Sequence, residues 1–151
     1  MTTDTVIRPA TADDLSACAA IINDYIDATD WLPRIHSRDQ LANFFAPELL
    51  DRRTVLVAEK GSAIVGYMTM SGEGLVPALY LAPHARGYGI GVELLDHAKA
   101  LAAGRVELTV FEPNIAARRF YEREGFAEVA GSRSIADEGI PIITLRWEAA
   151  A

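Results

Sequence analysis

The sequence is poor in the residues that build disulfide-bonded, zinc-binding or membrane-spanning proteins. Cys18 is the single cysteine among 151 residues, which excludes an internal disulfide framework and any Cys-x-x-Cys pair. No apolar run approaches the roughly 18 residues of a membrane-spanning helix. The N-terminus also lacks the basic-then-apolar pattern of a secretory signal. We therefore expect one cytoplasmic domain, residues 1–151, with no membrane partner.

Positive charge is also in short supply. The 14 Lys and Arg residues face 21 Asp and Glu residues, for a net charge of −7. Nucleic acids and anionic membranes bind to basic surfaces, so we expect neither as a partner. An acidic balance is compatible with a cationic small substrate, although it equally serves solubility. His84 and His97 have no cluster of other ligand residues around them, so we expect no metal site.

Hydrophobic periodicity predicts a mixed α/β domain. Capping boxes at residues 11–14 and 37–40 begin the first two predicted helices. A hairpin and a further apolar run follow, and then helices alternate with strands. The predicted strands cover residues 5–8, 54–58, 63–70, 75–81, 106–111, 126–129 and 142–147, and the predicted helices cover residues 12–27, 38–46, 90–103 and 115–124. This order favours one mixed sheet with helices covering its faces.

A glycine-rich turn, RGYGIG at residues 86–91, joins the third apolar run of the sheet to a helix. The first N–H groups of a helix lack internal partners and carry partial positive charge, so such a turn is typical of a phosphate site. Arg86 at its rim would add a charge-assisted contact. A tight turn without a ligand is the alternative.

Two other phosphate motifs fit this turn less well. The P-loop pattern is absent from the sequence. Gly87, Tyr88 and Gly89 approach the dinucleotide fingerprint, and Glu112 would supply its acid. Val92, however, stands where the third glycine belongs, and too little chain follows Glu112 to complete a dinucleotide-binding sheet.

A second segment, EPNIAARRFYEREGF at residues 112–126, narrows the choice of ligand. Together with LYLAPHARGYGIGVELL at residues 79–95, it resembles the GNAT superfamily of acyl-CoA-dependent N-acetyltransferases. The segment at residues 79–95 matches the family's [RQ]-x-x-G-x-[GA] loop. The segment at residues 112–126 matches the family pattern N-x-x-A-x-x-F-Y-E-x-x-G-F. The matching residues are Arg86, Gly89, Gly91, Asn114, Ala117, Phe120, Tyr121, Glu122, Gly125 and Phe126. Within the superfamily, the chain looks nearest to the small-molecule, phosphinothricin-type branch.

The resemblance implies the α/β GNAT fold: a mixed, mostly antiparallel sheet with a splayed central strand and helices on both faces. It also implies acetyl-CoA as co-substrate. The backbone around Leu79, Tyr80 and Leu81 would bind the pantetheine arm, and the Leu81 N–H would polarise the thioester carbonyl. Asn114 would bind the arm or cap its own helix, or do both. The pyrophosphate would lie on the amides of Gly87, Tyr88, Gly89, Ile90 and Gly91, with Arg86 beside them.

For catalysis, the resemblance implies that Tyr121 is the general acid that protonates the departing thiolate. A half-buried tyrosine that only packs against the sheet is the alternative. The amine must lose a proton before it attacks, and Glu73 is the first candidate for the base, with an exposed turn acid as the alternative. Asp30 and His36 are further candidates.

The expected reaction is direct attack of a small-molecule primary amine on acetyl-CoA in a ternary complex, without an acyl-enzyme. A CoA-binding sensor without turnover and a protein or peptide N-acetyltransferase remain open as alternatives. Tyr25, Trp31 and Phe45 would form the wall of the acceptor pocket or pack the N-terminal helices. A homodimer is expected from the family and from the apolar strand at residues 141–147, which either pairs across subunits or lies internally.

Overall fold

The computed structural model describes residues 5–150, and the elements below are those of this part of the chain. The strands are β1 (Thr5–Pro9), β2 (Thr54–Lys60), β3 (Ala63–Met70), β4 (Ala78–Leu81), β5 (Arg105–Phe111), β6 (Ala127–Glu128), β7 (Ser134–Ile135) and β8 (Pro141–Glu148). The helices are α1 (Leu15–Asp27), α2 (Arg38–Phe44), α3 (Leu49–Arg52), α4 (Ile90–Leu101) and α5 (Ile115–Arg123). In residues 5–150 no helix is long and apolar enough to cross a membrane.

Both predicted capping boxes form. At α2, the Ser37 hydroxyl accepts a hydrogen bond from Gln40 N at 3.1 Å, and the Gln40 side chain accepts one from Ser37 N at 2.8 Å. Before α1, the Asp14 carboxylate accepts from Thr11 N at 2.8 Å. The same carboxylate accepts hydrogen bonds from both terminal nitrogens of Arg8, at 2.7 and 3.0 Å. This pair joins β1 to the start of α1.

The strands form two antiparallel sheets with the orders β1-β2-β3-β4 and β5-β8-β6, and β7 also pairs with β8. One core cluster surrounds Leu94 and Leu95 of α4, and the other lies under α1 around Tyr67. Each fully buried leucine contributes about 1.5–3 kcal/mol of transfer free energy. Strand β8 has partners on both edges, so the segment at residues 141–147 lies internally and does not offer a free edge to a second subunit.

The two sheets meet at one point and then separate. Leu75 pairs in parallel with Glu107, whose carbonyl accepts from Val76 N at 2.8 Å, while Glu107 N donates to Gly74 O at 2.9 Å. Beyond this point β4 pairs with β3, and β5 pairs with β8. A gap therefore opens between β4 and β5, with its closed end at the Leu75 bridge and its open end beyond Leu81. The predicted splayed strand is confirmed.

Three elements differ from the sequence prediction. The predicted strand at residues 75–81 is regular only over β4 (Ala78–Leu81), because Leu75 and Val76 turn to meet β5. The one-turn helix α3 and the two-residue strand β7 were not predicted. Elements of this length carry too few residues for a periodic pattern.

Candidate active site

Backbone N–H groups along one edge of β4 face the gap. Ala82 N donates to Val65 O of β3 at 2.8 Å. Because hydrogen-bonding direction alternates along an antiparallel pair, the N–H groups of Leu79 and Leu81 face away from β3 and into the gap. The side chains of both leucines pack in the α4 core, and their N–H groups have no partner within residues 5–150, while Leu81 O accepts a hydrogen bond from Arg86 Nη2 at 3.5 Å.

The glycine turn at the open end of the gap is shaped for close approach of a ligand. Gly87 and Gly89 have φ of +86° and +80°, the left-handed region that favours glycine. A Cβ at either position would meet no atom of residues 5–150 within 4 Å, so their outer faces border open space. Gly89 is the N-cap of the 12-residue α4, and no side chain in the described part of the chain caps the amides that follow. These amides and the helix dipole suit the diphosphate of a coenzyme.

Gly91 has a different role in the same turn. It is buried in the first turn of α4, and a Cβ there would lie 3.4 Å from Phe120 Cζ of α5. The first turn of α4 therefore borders the ring of Phe120, the residue before Tyr121, at ordinary van der Waals distance.

Three tyrosines gather at the gap. The rings of Tyr25 and Tyr80 are 5.1 Å apart, and Tyr121 packs on Phe120 and Phe126 at 5.0 and 5.5 Å. Burial raises the pKa of the Tyr121 hydroxyl, and the nearby Tyr80 and Tyr25 raise it further. Tyr121 is thus a protonated phenol at neutral pH. No group in the described part of the chain hydrogen-bonds to its hydroxyl, which leaves the proton available to a ligand.

Asn114 caps helix α5, which is one of the two roles that the sequence left open. Its Oδ1 accepts from Ala117 N at 3.2 Å at the start of α5, and its Nδ2 donates to the Tyr25 hydroxyl at 3.1 Å. This second bond joins α1 to the end of β5 across the mouth of the gap. A role in binding the pantetheine arm stays a prediction.

Glu73 lies at the closed end of the gap. It sits in the turn closed by the bond from Ser71 N to Leu75 O at 2.9 Å, and it borders a cavity of about 380 Å³ with Arg105. At about 3.3 Å per residue, the regular strand Ala78–Leu81 alone adds about 10 Å between this end and Leu81. The role of Glu73 as the base stays a prediction.

The alternatives Asp30 and His36 are exposed on the segment that joins α1 to α2. Trp31 of this segment packs on Phe111, with ring centroids 5.6 Å apart, so the segment covers the end of β5. Trp31 therefore packs against the sheet. Asp30 and His36 lie on the solvent side of the open end.

Sequence reasoning missed a carboxylate in this region, Glu138. It lies in the tight turn at residues 136–140, where Ala136 N donates to Ile140 O at 2.9 Å. A bond from Glu112 N to Pro141 O at 2.8 Å fixes this turn beside the end of β5. Glu138 is half-buried and has no hydrogen bond or ion pair within residues 5–150. No motif marks this residue in the sequence, because its position beside the gap depends on the pairing of β8 with the distant strand β5.

The charge of Glu138 acts on the tyrosine cluster. Burial raises the pKa of Tyr80, and Tyr25 and then Glu138 raise it further. The carboxylate therefore lies within electrostatic range of the Tyr80 hydroxyl, at the open end of the gap. Within residues 5–150, no group of three or more His, Cys, Asp or Glu side chains is placed to hold a metal ion.

A cavity of about 210 Å³, here called the β4 pocket, opens on the face of the sheet that α1 and α2 cover. Phe45 contributes to its wall, whereas Tyr25 and Trp31 do not. The role of these three residues in an acceptor pocket stays a prediction. Its lining consists of Ile22, Leu41, Phe44, Phe45, Arg53, Tyr67, Thr69, Pro77, Ala78 and Tyr80.

Comparison with known proteins agrees with this geometry. Residues 12–149 match the acetyltransferase (GNAT) domain family. The peptidyl-lysine N-acetyltransferase YjaB of Salmonella typhimurium is 34% identical over 138 residues, which cover 89% of this chain and 91% of that protein.

Two solved structures share the fold. One is yncA of Salmonella typhimurium with its cofactor acetyl-CoA (20% identity, TM-score 0.74, 99% of this chain and 96% of that one). The other is assigned as a phosphinothricin N-acetyltransferase (20% identity, TM-score 0.76, 97% and 99%). At this identity the second match shows the fold and does not distinguish a branch. The chain belongs to the GNAT family and is an acetyl-CoA-dependent N-acetyltransferase.

Proposed function

We propose that the protein transfers the acetyl group of acetyl-CoA to the ε-amine of a lysine in a peptide or protein, by direct attack in a ternary complex. The observation that carries this proposal is the gap between β4 and β5, which has unpaired amides on one edge and Tyr121 beside it. The similarity to a protein named a peptidyl-lysine N-acetyltransferase supports lysine as the acceptor.

The size of the β4 pocket suits one side chain of a peptide or a small amine. Sites that enclose a drug-sized ligand usually measure about 300–1,000 Å³. The β4 pocket, at about 210 Å³, has room for one side chain. A small primary amine remains the second candidate, because the walls of the pocket are largely apolar and such an amine would present its own hydrocarbon part to them.

The backbone would supply most of the catalysis. The amides of residues 87–91 would bind the diphosphate, and the edge of β4 would align the arm as an additional strand. The Leu81 N–H would then donate to the thioester oxygen as negative charge develops there. A donor of this kind contributes about 10²–10³-fold in rate, and holding both reactants together lowers the entropic cost of their encounter.

Two side chains would move the protons. Glu138, at the open end, would take a proton from the ammonium, directly or through water. The free amine then forms the C–N bond and loses its second proton to water, the C–S bond breaks, and the electron pair goes to sulfur. Tyr121 would protonate that thiolate and recover its proton from solvent. The net products are the acetylated amine, CoA thiol and one proton.

The experiment is an acetyl-transfer assay with thiol release and mass spectrometry. The acceptors are an N-terminally blocked peptide with one lysine, the same peptide with arginine in its place, and a panel of small amines. We expect a gain of one acetyl group on the lysine peptide alone. Transfer only to small amines would favour the second candidate. Tight acetyl-CoA binding without transfer to any acceptor would indicate a CoA sensor.

A further inference from the structure

We infer that Tyr80 is a further catalytic residue, whose hydroxyl oxygen accepts a hydrogen bond from the acceptor amine and aims that amine at the thioester. This inference rests on the proposed acetyl transfer and adds an amine-binding side chain to it. The family resemblance implies a role for the backbone of Tyr80 alone, in binding the pantetheine arm. Its side chain lies on the face of the sheet that α1 covers.

The two faces of β4 differ in what they pack against. The side chains of Leu79 and Leu81 lie in the core around α4, together with Phe120 and Tyr121. Because side chains alternate along a strand, Tyr80 lies on the opposite face, in the cluster under α1. Tyr80 directly precedes Leu81, so it adjoins the peptide group whose N–H we propose as the donor to the thioester oxygen. An amine that approaches the thioester from the α1 face therefore meets the Tyr80 side chain.

The Tyr80 ring borders both the β4 pocket and the mouth of the gap. It contributes to the lining of the pocket, and its residue pairs with Tyr67 of β3. The ring of Tyr25 lies 5.1 Å from it, and the Tyr25 hydroxyl accepts from Asn114 Nδ2, which follows β5 on the far side of the gap. An acceptor side chain held in the pocket would therefore pass the Tyr80 ring before its amine reaches the gap.

The Tyr80 hydroxyl is a neutral phenol at neutral pH. Burial raises its pKa, and Tyr25 and then Glu138 raise it further. The residue is half-buried, and its hydroxyl makes no hydrogen bond within residues 5–150. A phenol offers one proton and accepting lone pairs, and it rotates to suit its surroundings. The negative charge of Glu138 attracts the hydroxyl proton, which leaves a lone pair for an N–H of the amine.

This contact orients the amine and does not remove its proton. Once Glu138 has taken a proton from the ammonium, the free amine keeps two N–H groups and one lone pair. With one N–H donated to Tyr80 Oη, the amine loses rotational freedom and its lone pair can face the carbonyl carbon. Such alignment of the reacting atoms lowers the entropic part of the barrier. Tyr121 remains the proton donor to sulfur.

The first test replaces Tyr80 by phenylalanine, which keeps the ring and removes only the hydroxyl. With the acceptor that the wild type acetylates fastest, we expect kcat/KM for the acceptor to fall about tenfold, as for the loss of one hydrogen bond. The Kd for acetyl-CoA should not change, because the coenzyme would contact the backbone of β4 and not this side chain. An unchanged kcat/KM would overturn the inference, and the melting temperature of Tyr80→Phe checks folding.

The pH dependence separates orientation of the amine from removal of its proton. Glu138→Gln lacks the proposed base, so its deficit should shrink as free amine accumulates at alkaline pH. Tyr80→Phe lacks only the orienting contact, so its deficit should be constant from about pH 6 to pH 9, below the pKa of a lysine amine. A deficit of Tyr80→Phe that shrinks at alkaline pH would assign Tyr80 to proton removal and overturn the inference.

A binding measurement makes the test independent of turnover. Amines and analogues that lack the amine are titrated into the CoA complex and followed by NMR. The pairs are a blocked lysine peptide with its norleucine counterpart, and ε-aminocaproate with caproate. In at least one pair we expect the wild type to prefer the amine, and this preference to fall about tenfold in Tyr80→Phe. No preference in either pair, or an unchanged preference in Tyr80→Phe, overturns the inference. A Tyr80-dependent preference without transfer to any acceptor would instead overturn the proposed function alone.

Discussion

Replacement of Gly89 by alanine separates the role of the glycine turn in coenzyme binding from its role in folding. Gly89 has φ +80°, and an added Cβ would meet no protein atom within 4 Å. The cost in the free protein is therefore backbone strain alone, about 1–2 kcal/mol for a non-glycine residue in the left-handed region. For a domain of this size we expect the melting temperature to fall by about 3–8 °C.

Gly61, in the turn between β2 and β3, provides the matched control. It has φ +64° and the same open surroundings, and it contributes no amide to the proposed site, although Nζ of the preceding Lys60 lies 5.0 Å from the centroid of the Tyr88 ring. Gly61→Ala should therefore destabilise the protein by a similar amount. Only Gly89→Ala should weaken acetyl-CoA binding, because its Cβ occupies the open space where the diphosphate would lie and its strain shifts the amides.

The assay is calorimetric titration with acetyl-CoA, together with thermal unfolding of the free proteins. We expect at least a tenfold higher Kd for Gly89→Ala, or about 1.4 kcal/mol, and a wild-type Kd for Gly61→Ala. Equal Kd values for the two variants would refute the proposed position of the diphosphate, whatever their melting temperatures.

The remaining predictions concern single side chains. Tyr121→Phe should lower kcat by about 10²–10³-fold with little change in acetyl-CoA affinity, and an unchanged steady-state kcat would exclude the general-acid role. Glu138→Gln should lower kcat/KM for the acceptor by about 10–100-fold, with a deficit that shrinks at alkaline pH as free amine accumulates; Asp137→Asn, the control, should behave as wild type. Hydrogen bonds from Arg8 hold the pKa of Asp14 at about 2, below its value of 3.8 in the unfolded chain. Asp14 therefore stabilises the fold above about pH 4, and this contribution is lost as the pH falls toward 2. In a profile of melting temperature against pH, Asp14→Asn should flatten the acid limb.

Much of the site was predictable from local sequence. The glycine turn, the helix caps at Ser37 and Asn114, and the helix that carries Tyr121 are encoded within a few neighbouring residues. Side-chain hydrogen bonds and left-handed glycines act over that same range, so their residue patterns are informative.

The proposed base, Glu138, was not predictable, because its position depends on a strand pairing between segments distant in sequence. Glu73 precedes β4 in the chain, yet the Leu75–Glu107 bridge places it at the closed end of the gap. Glu138 lies outside both GNAT segments, in the turn between β7 and β8, and the pairing of β8 with the distant strand β5 brings that turn to the open end. Periodicity predicts which face of a strand a residue lies on. It does not predict which end of the gap the neighbouring turn reaches, so neither position follows from it.

The most direct test of the account is the amide spectrum of ¹⁵N-labelled protein during titration with acetyl-CoA. We predict that the largest shifts fall on the amides of Leu79, Leu81 and residues 87–91, while the Ser71–Leu75 turn at the closed end changes little. Saturable binding with the largest shifts elsewhere, and an unperturbed glycine turn, would contradict the proposal that the coenzyme lies in the gap between β4 and β5.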